Sequence, residues 1–260
     1  MTPRDALAEG NLTLAIALQQ DAVAANPASA AARLFLFELF TVAGRLREAN
    51  ENLAAVASSS DKWPAVRRGF ERILRAEYRR THRHRRPEFL KPPSAHVRRR
   101  WRMTEAVAQQ DFPKAAQYVD SADTASPRIG GHVDGREFDG LRDTDDRFGS
   151  VFEVFLKGEY AWIPFEHVRK VRLAKPKGVL DVIFRPARLT LAAGEKVNAI
   201  LPLTYPGSHA AIGVLALGRE TDWPEAGGLA VGLGARVLMA GEEVVELGQV
   251  TQLELRPTTS

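Results

Sequence analysis

Apolar positions in the first half of the chain recur with a helical period. Beyond residue 125 they fall in short runs broken by glycine and proline. Two stretches of the first half, "EGNLTLAIALQQDAVAANP" (9–27) and "AGRLREANENLAAVASSSD" (43–61), align at an offset of 34 residues. Gly10 falls on Gly44, Leu12 on Leu46 and Ala15 on Ala49. Glycine permits a tight turn between antiparallel helices, and alanine lets two helix backbones approach closely. Between the two stretches, "NPASAAARLFLFELFTVAGR" sets Leu34, Phe37 and Phe40 or Thr41 at helical spacing behind Pro27, which predicts a further helix.

The shared pattern G-x-L-x-x-A resembles the turn and second helix of a tetratricopeptide repeat. On that frame the first repeat has only a stub, residues 1–8, in place of its first helix. The next segment, "DKWPAVRRGFERILRAEYRR", offers Asp61 as an N-cap and aligns Trp63, Val66, Phe70, Ile73, Leu74 and Glu77 along one side. A looser third unit follows in "HVRRRWRMTEAVAQQDFPKAAQYVDSA", with a turn at Gln110-Asp111 and with Phe112 and Ala115 in the Leu46/Ala49 relationship. Repeats of this kind bind peptides or helices along the concave side of their first helices. The frame puts Leu34, Glu38 and Thr41 on that side with Phe35 at its edge, and these are the candidate partner-binding residues. Phe37 stands where such repeats usually carry a small residue, so a wide helix spacing is expected there.

The second half reads as strands. Asp134-Gly135 and Lys157-Gly158 are turn dipeptides between apolar runs, predicting two hairpins, the second within "SVFEVFLKGEYAWIPF" (150–165). Further strands are expected near 180–184, 188–191 and 197–202, with Gly194 in a turn, and in the tail around Gly241 and Gly248. "FEHVRKV" reads as a short helix or turn on the sheet. The fold class is therefore α+β: a degenerate repeat-like helical domain, residues 1–125, then a β-rich domain, residues 126–260, whose antiparallel sheet curls toward a barrel.

Charge alters this picture at one place. Residues 79–102 carry ten Lys or Arg and one Glu, whereas the whole chain is only +4, so everything else sums to about −5. Pro87, Pro92 and Pro93 exclude one continuous basic helix there. The segment reads as a connector between helices. The rival reading makes it a basic contact patch, with Arg83, Arg85, Arg86, Arg98, Arg99 and Arg100 meeting an acidic partner or a phosphate backbone. No recognition-helix or RNA-module pattern accompanies it, so nucleic acid is the less favoured partner. The absence of cysteine excludes disulfides, thiolate nucleophiles and cysteine-held zinc. The chain's start, with acids at Asp5, Glu9 and Asp21, does not read as a signal peptide, and no apolar run is long enough to span a bilayer. A cytoplasmic location is expected.

The segments "VDGREFDGLRDTDDRFGSVFEVFLKGEYAWIPFEHVRKVRL", "DVIFRPARL", "LPLTYPGS" and "RETDW", in that order, resemble the signatures of the ImpE/TagJ family. "EYAWIPFEHV" followed by "YPGS" at this interval is the most specific part, and the opening "GNLTLAIA…NPASAAARLFLFELFTVAGR" is similar to the family's opening. The resemblance implies a non-enzymatic, cytoplasmic accessory component of the bacterial type VI secretion system. It further implies binding to the small subunit of the contractile sheath and a link to sheath recycling by the ClpV unfoldase. The basic segment 79–102 departs from that family's pattern.

Other chemistry finds little support in the sequence. His82 and His84 sit among arginines that would repel a metal, and Asp143, Asp145 and Asp146 lack EF-hand spacing and read as an acidic capping turn. The glycine-rich stretch 227–234 lacks the Gly-Lys-Ser/Thr of a phosphate loop. Ser208 beside His209 in "YPGSHA" does not make a nucleophile–base pair, because geometry rather than adjacency builds one, and "YPGS" reads as a turn. Trp162, Phe165 and Trp223 are expected to pack. Neither catalysis nor a cofactor is expected.

Overall fold

Each of the early helices begins where the sequence supplies a cap. In the computed structural model, which describes residues 1–58, 60–81 and 86–258, α1 (Pro3–Ala8) starts with a reciprocal capping box between Thr2 and Asp5. Asn11 caps α2 (Leu12–Ala25), and Ser29 caps α3 (Ala30–Val42). Helices α4 (Leu46–Ala54), α5 (Trp63–Thr81), α6 (Ala95–Ala108) and α7 (Phe112–Ala125) follow, the last capped by Asp111. The pairs α1/α2, α3/α4 and α6/α7 are hairpins whose turns hold Gly10, Gly44 and Gln110 at positive φ, so Gln110 bears a left-handed strain that glycine avoids in the first two. Ala15, Ala49 and Ala115 are fully buried, as close helix approach requires. The first repeat's leading helix is the six-residue α1, a stub indeed.

Helix α3 is apolar on nearly every side and is buried accordingly. Phe37 is fully enclosed and its ring meets Phe70 of α5 at 4.9 Å between centroids. The large side chain at this small-residue position is thus filled against the following helix.

The main sheet has nine strands in the order β1-β6-β5-β9-β8-β7-β14-β2-β3. Its members are β1 (Glu88–Phe89), β2 (Ile129–Val133), β3 (Arg136–Asp139), β5 (Val151–Leu156), β6 (Glu159–Pro164), β7 (Val168–Leu173), β8 (Phe184–Leu191), β9 (Lys196–Pro202) and β14 (Gln252–Pro257). The pairings are antiparallel except β1 with β6. The sheet ends at β1 and β3 and does not close into a barrel. β4 (Leu141–Asp143), β12 (Val237–Ala240) and β13 (Glu243–Glu246) form a second sheet, and β10 (Thr221–Asp222) pairs with β11 (Leu233–Gly234). Both predicted dipeptide turns join hairpin strands, with Asp134 and Lys157 at positive φ before their glycines.

Two readings are corrected. Residues 180–182 form a 3-10 turn rather than a strand, because Asp181 Oδ2 accepts from the Lys177 and Gly178 amides and folds the chain back, so that Leu180 and Ile183 both reach the core. The basic connector also contains a strand: β1 adds in parallel to the β6 edge, with Phe89 opposite Trp162.

Strands β5 and β6 are buried on both faces, which explains their near-continuous apolar sequence. Tyr160 and Trp162 face the helices, in one core cluster with Phe37, Leu74 and Val97. Ala161 and Ile163 face the opposite way, into the core enclosed by the sheet. Alternation with period two thus splits one strand between two cores, and the first of these runs without interruption from the helices into the sheet.

A candidate partner-binding cleft over a buried charge network

The side of β5 and β6 that faces the helices also carries charge. Glu153 lies on β5 between Val151 and Phe155, pointing at α5, where Glu77 and Arg80 share the inward face at i and i+3. Arg80 donates to Glu153 (Nε 3.2 Å and Nη2 3.1 Å to the carboxylate) and to Glu77 at 3.2 Å. Its Nη2 also reaches the Thr204 carbonyl. Arg236, just before β12, bridges Glu153 and Asp143, the latter at 2.6 Å. Tyr160 donates to Glu153 and receives the Trp162 indole proton at 2.6 Å. Tyr205 donates to Asp143 at 2.9 Å, and Arg147 pairs with Asp145. Every charged member is less than a tenth exposed except Arg147.

Burial raises carboxyl pKa values and arginine partners lower them. Burial alone would push Glu153 up, but the guanidiniums of Arg80 and Arg236 override it and hold the group below its ordinary range. For Asp143 burial prevails over Arg236, and the carboxyl rises to about 6. Desolvation likewise lifts Glu77. Four carboxyls meet three guanidiniums here, and Asp143 and Glu77 take the upward shifts because burial outweighs their arginine partners. The network ties α5, both sheets and the Tyr205 turn together.

Above this floor opens a cleft of about 580 Å³, within the size range of ligand-binding pockets. One wall is α6, through Trp101, Thr104, Val107 and Ala108, with Phe112 at the start of α7. The opposite wall is made of Pro206, Gly207, His209 and Ala210, continued by Pro224 to Ala226. Phe148, Tyr160 and Trp162 lie beneath, and Trp101 and Trp162 meet edge to face at 6.1 Å. "DDRFG", "EYAW" and "YPGS", three segments of the family resemblance, are far apart in sequence and converge on this one cleft together with the chain that follows "RETDW".

The residues expected to bind a partner are placed differently. Phe35 is 8% exposed under the Arg4 guanidinium, 4.6 Å from its ring, and Thr41 is 2% exposed and donates to the Phe37 carbonyl at 2.8 Å. Neither is open to a partner. Leu34 and Glu38 are half-buried, Leu34 against the core and Glu38 beside Gly178, so the chain's own turn around residues 178–181 borders this face. Of the basic patch, Arg100 is fully buried, pairing with Asp123 and donating to the Asp146 carbonyl at 2.7 Å. It is an internal strut between α6, α7 and the acidic turn. Arg98 and Arg99 donate to the carbonyls of Pro93 and Ser121, and Arg86 lies over the Phe89 ring at 5.1 Å. Arg83 and Arg85, like His82 and His84, lie outside the described residues.

The acidic turn caps as expected: Asp143 accepts from the Asp145 amide, and Asp145 from the Arg147 amide. It also does more, since Asp145 and Asp146 accept the Gly232 and Ala230 amides and so anchor the glycine-rich loop. Sequence reasoning missed the network built on this turn. A glutamate inside "VFEVF" and an arginine on the apolar side of α5 were its signals.

One constellation has the distances of a catalytic triad. Buried His96 of α6 contacts Ser150 Oγ through Nδ1 at 2.9 Å and Glu166 Oε1 through Nε2 at 2.7 Å. Ser150 Oγ also lies 3.0 Å from Ser126 Oγ, and Ser126 Oγ donates to the Ala122 carbonyl at 2.9 Å. The chain of bonds fastens α6 and the end of α7 to the sheet.

The fold and cleft define a helical-repeat protein fused to an open, antiparallel-rich sheet. A family model described as "ImpE protein" matches residues 135–254, and a tetratricopeptide-repeat model matches residues 6–69. The type VI secretion system accessory component TagJ of Pseudomonas aeruginosa is 31% identical over 271 residues, spanning 99% of this chain and 92% of that protein. This chain belongs to the ImpE/TagJ family. The crystal structure of a Vibrio parahaemolyticus protein has the same fold, with a TM-score of 0.85 over 98% of both chains at 22% identity. Among the described residues, no helix is long and apolar enough to cross a membrane.

Proposed function

We propose that this chain is a non-enzymatic accessory protein of a bacterial type VI secretion system, acting in the cytoplasm as an adaptor for the contractile sheath. Its partner is the small sheath subunit, presented as a helical segment, and its role is linked to sheath recycling by the ClpV unfoldase. Family membership and the name of the Pseudomonas aeruginosa relative support the secretion context. The convergence of the family-resembling segments on the cleft beside α6 carries the choice of site. A helix laid against that cleft would insert apolar side chains between α6 and the Pro206–Ala210 wall, the helix-in-groove mode of recognition.

The test is calorimetric titration with the amino-terminal segment of the small sheath subunit from the same organism, at about 0.15 M and about 0.5 M salt. Saturable binding that survives the higher salt is expected. Thr104→Arg and Ala108→Arg, which fill the cleft from positions only partly buried, should each weaken it at least tenfold. Binding unaffected by both substitutions would remove the cleft from the proposal, and no binding at either salt would remove the sheath partner.

A further inference from the structure

Helix α5 carries a second surface. Arg68, Arg72, Arg75 and Arg79 stand at i, i+4, i+7 and i+11, one straight stripe on the side of the helix away from its buried residues. At the helical rise the stripe is about 16 Å long. Like charges at this spacing destabilise a helix, so the stripe is not a choice that favours folding.

The tip of the β5–β6 hairpin completes it. Arg75 Nε donates to the Gly158 carbonyl at 3.1 Å, which places exposed Lys157 beside the stripe. A Cβ at Gly158 would fall 2.5 Å from Arg75 Nη2 and 2.8 Å from Arg72 Cγ, so only glycine lets the hairpin come this close. Glu159 pairs with Arg75 and Arg79, fixing their guanidiniums. Among the described residues, Arg68 and Arg72 have no acidic partner. Four arginines and Lys157 thus share this side with Glu159, while Glu71 at its border is taken up by Arg67 at 2.9 Å.

We infer that this patch docks an acidic helical segment of a partner protein, with carboxylates along one face at the same i, i+4, i+7 spacing. Arg75 and Arg79 are already held in place, which lowers the ordering cost of binding. A nucleic-acid strand is the poorer fit. Glu159 sits inside the patch, and among the described residues that follow it Arg80 and Arg100 are buried while Arg86, Arg98 and Arg99 are engaged locally. Among the described residues the stripe runs from Arg68 to Arg79 and contains none of the cleft-lining residues, so the contact is independent of the cleft.

The probe is a fluorescein-labelled, alanine-based helical peptide with glutamates at i, i+4, i+7 and i+11. It is compared with a peptide of the same composition whose glutamates are spread around the helix, and with a 20-base-pair DNA duplex. Anisotropy titrations at about 0.05 M and 0.3 M salt should show the striped peptide bound at least fivefold tighter than the spread one, and weakened by salt. R68E/R72E should lose binding at least tenfold, R68K/R72K should largely keep it, and both should melt within a few degrees of wild type. Equal binding of the two peptides, tighter binding of the duplex, or R68E/R72E binding like wild type would each overturn the inference.

Discussion

Gly44 and His209 are in direct contact: a Cβ built on Gly44 would overlap the His209 ring. The turn glycine of the second repeat is therefore also the seat of a loop from the β half. Gly10, its equivalent in the first repeat, faces Val214 more loosely: a Cβ built on it would lie 3.2 Å from that side chain. The glycines that shape the repeat leave open the sites where the loop of residues 208–219 docks, and Arg219 secures that loop by donating to the carbonyls closing α1.

Gly44→Ala should accordingly cost more than a turn glycine alone. The left-handed backbone accounts for about 1–2 kcal/mol, and displacement of His209 adds to it. Gly135→Ala, at a similar φ with open space around it, isolates the backbone part. Urea unfolding of the two variants should show Gly44→Ala as clearly the less stable.

Glu153→Gln should destabilise by about 3–5 kcal/mol, because it leaves Arg80 and Arg236 buried without their shared carboxylate. Glu159→Gln breaks a half-exposed pairing with Arg75 and Arg79 and should cost under about 1 kcal/mol. Equal unfolding midpoints for these two variants would mean that the buried network does not bear the load assigned to it.

Glu38 gives the stability a pH dependence. Burial raises its carboxyl to about 7, with Asp181 adding to the shift and Arg4 opposing it. The folded chain therefore holds a proton there that the unfolded chain releases near 4.5. This contribution is fully present below about pH 4.5 and is lost as pH rises through about 7. Glu38→Gln removes it, so thermal melts should favour the variant over wild type more at pH 8 than at pH 5.

Leu34→Asp and Phe35→Asp are not equivalent probes of the α3 face. Phe35 is buried, and replacing it with a carboxylate should cost roughly 3–5 kcal/mol or more. Leu34 is half-buried and should tolerate the change better. If the sheath segment occupies the cleft beside α6, Leu34→Asp will bind it with wild-type affinity in calorimetry while Ala108→Arg will not.

Much of the helical half was legible because its signals are local. The Gly-x-Leu-x-x-Ala pattern repeated after 34 residues and the turn glycines Gly10 and Gly44 are each written in a short stretch of chain. The hairpins at Asp134-Gly135 and Lys157-Gly158 were legible for the same reason. The run at 180–184 was not, since an apolar stretch of five serves a strand or a folded turn equally well, and Asp181 decided between them.

The amino-acid sequence alone determined the order of elements, the turn positions, the apolar faces and the family. Tertiary structure alone decided which charges are surface and which are internal. Arg79, Arg80, Arg99 and Arg100 are indistinguishable in a basic run, yet Arg80 and Arg100 point inward to Glu153 and Asp123 while Arg99 reaches only a backbone carbonyl. The physical reason is that a guanidinium can be buried only where carboxylates and carbonyls from other segments meet it. Those partners stand 73 and 23 residues away, a separation that no local pattern encodes. The cleft follows the same logic, because its walls come from segments that only the packing of helices on the sheet brings together.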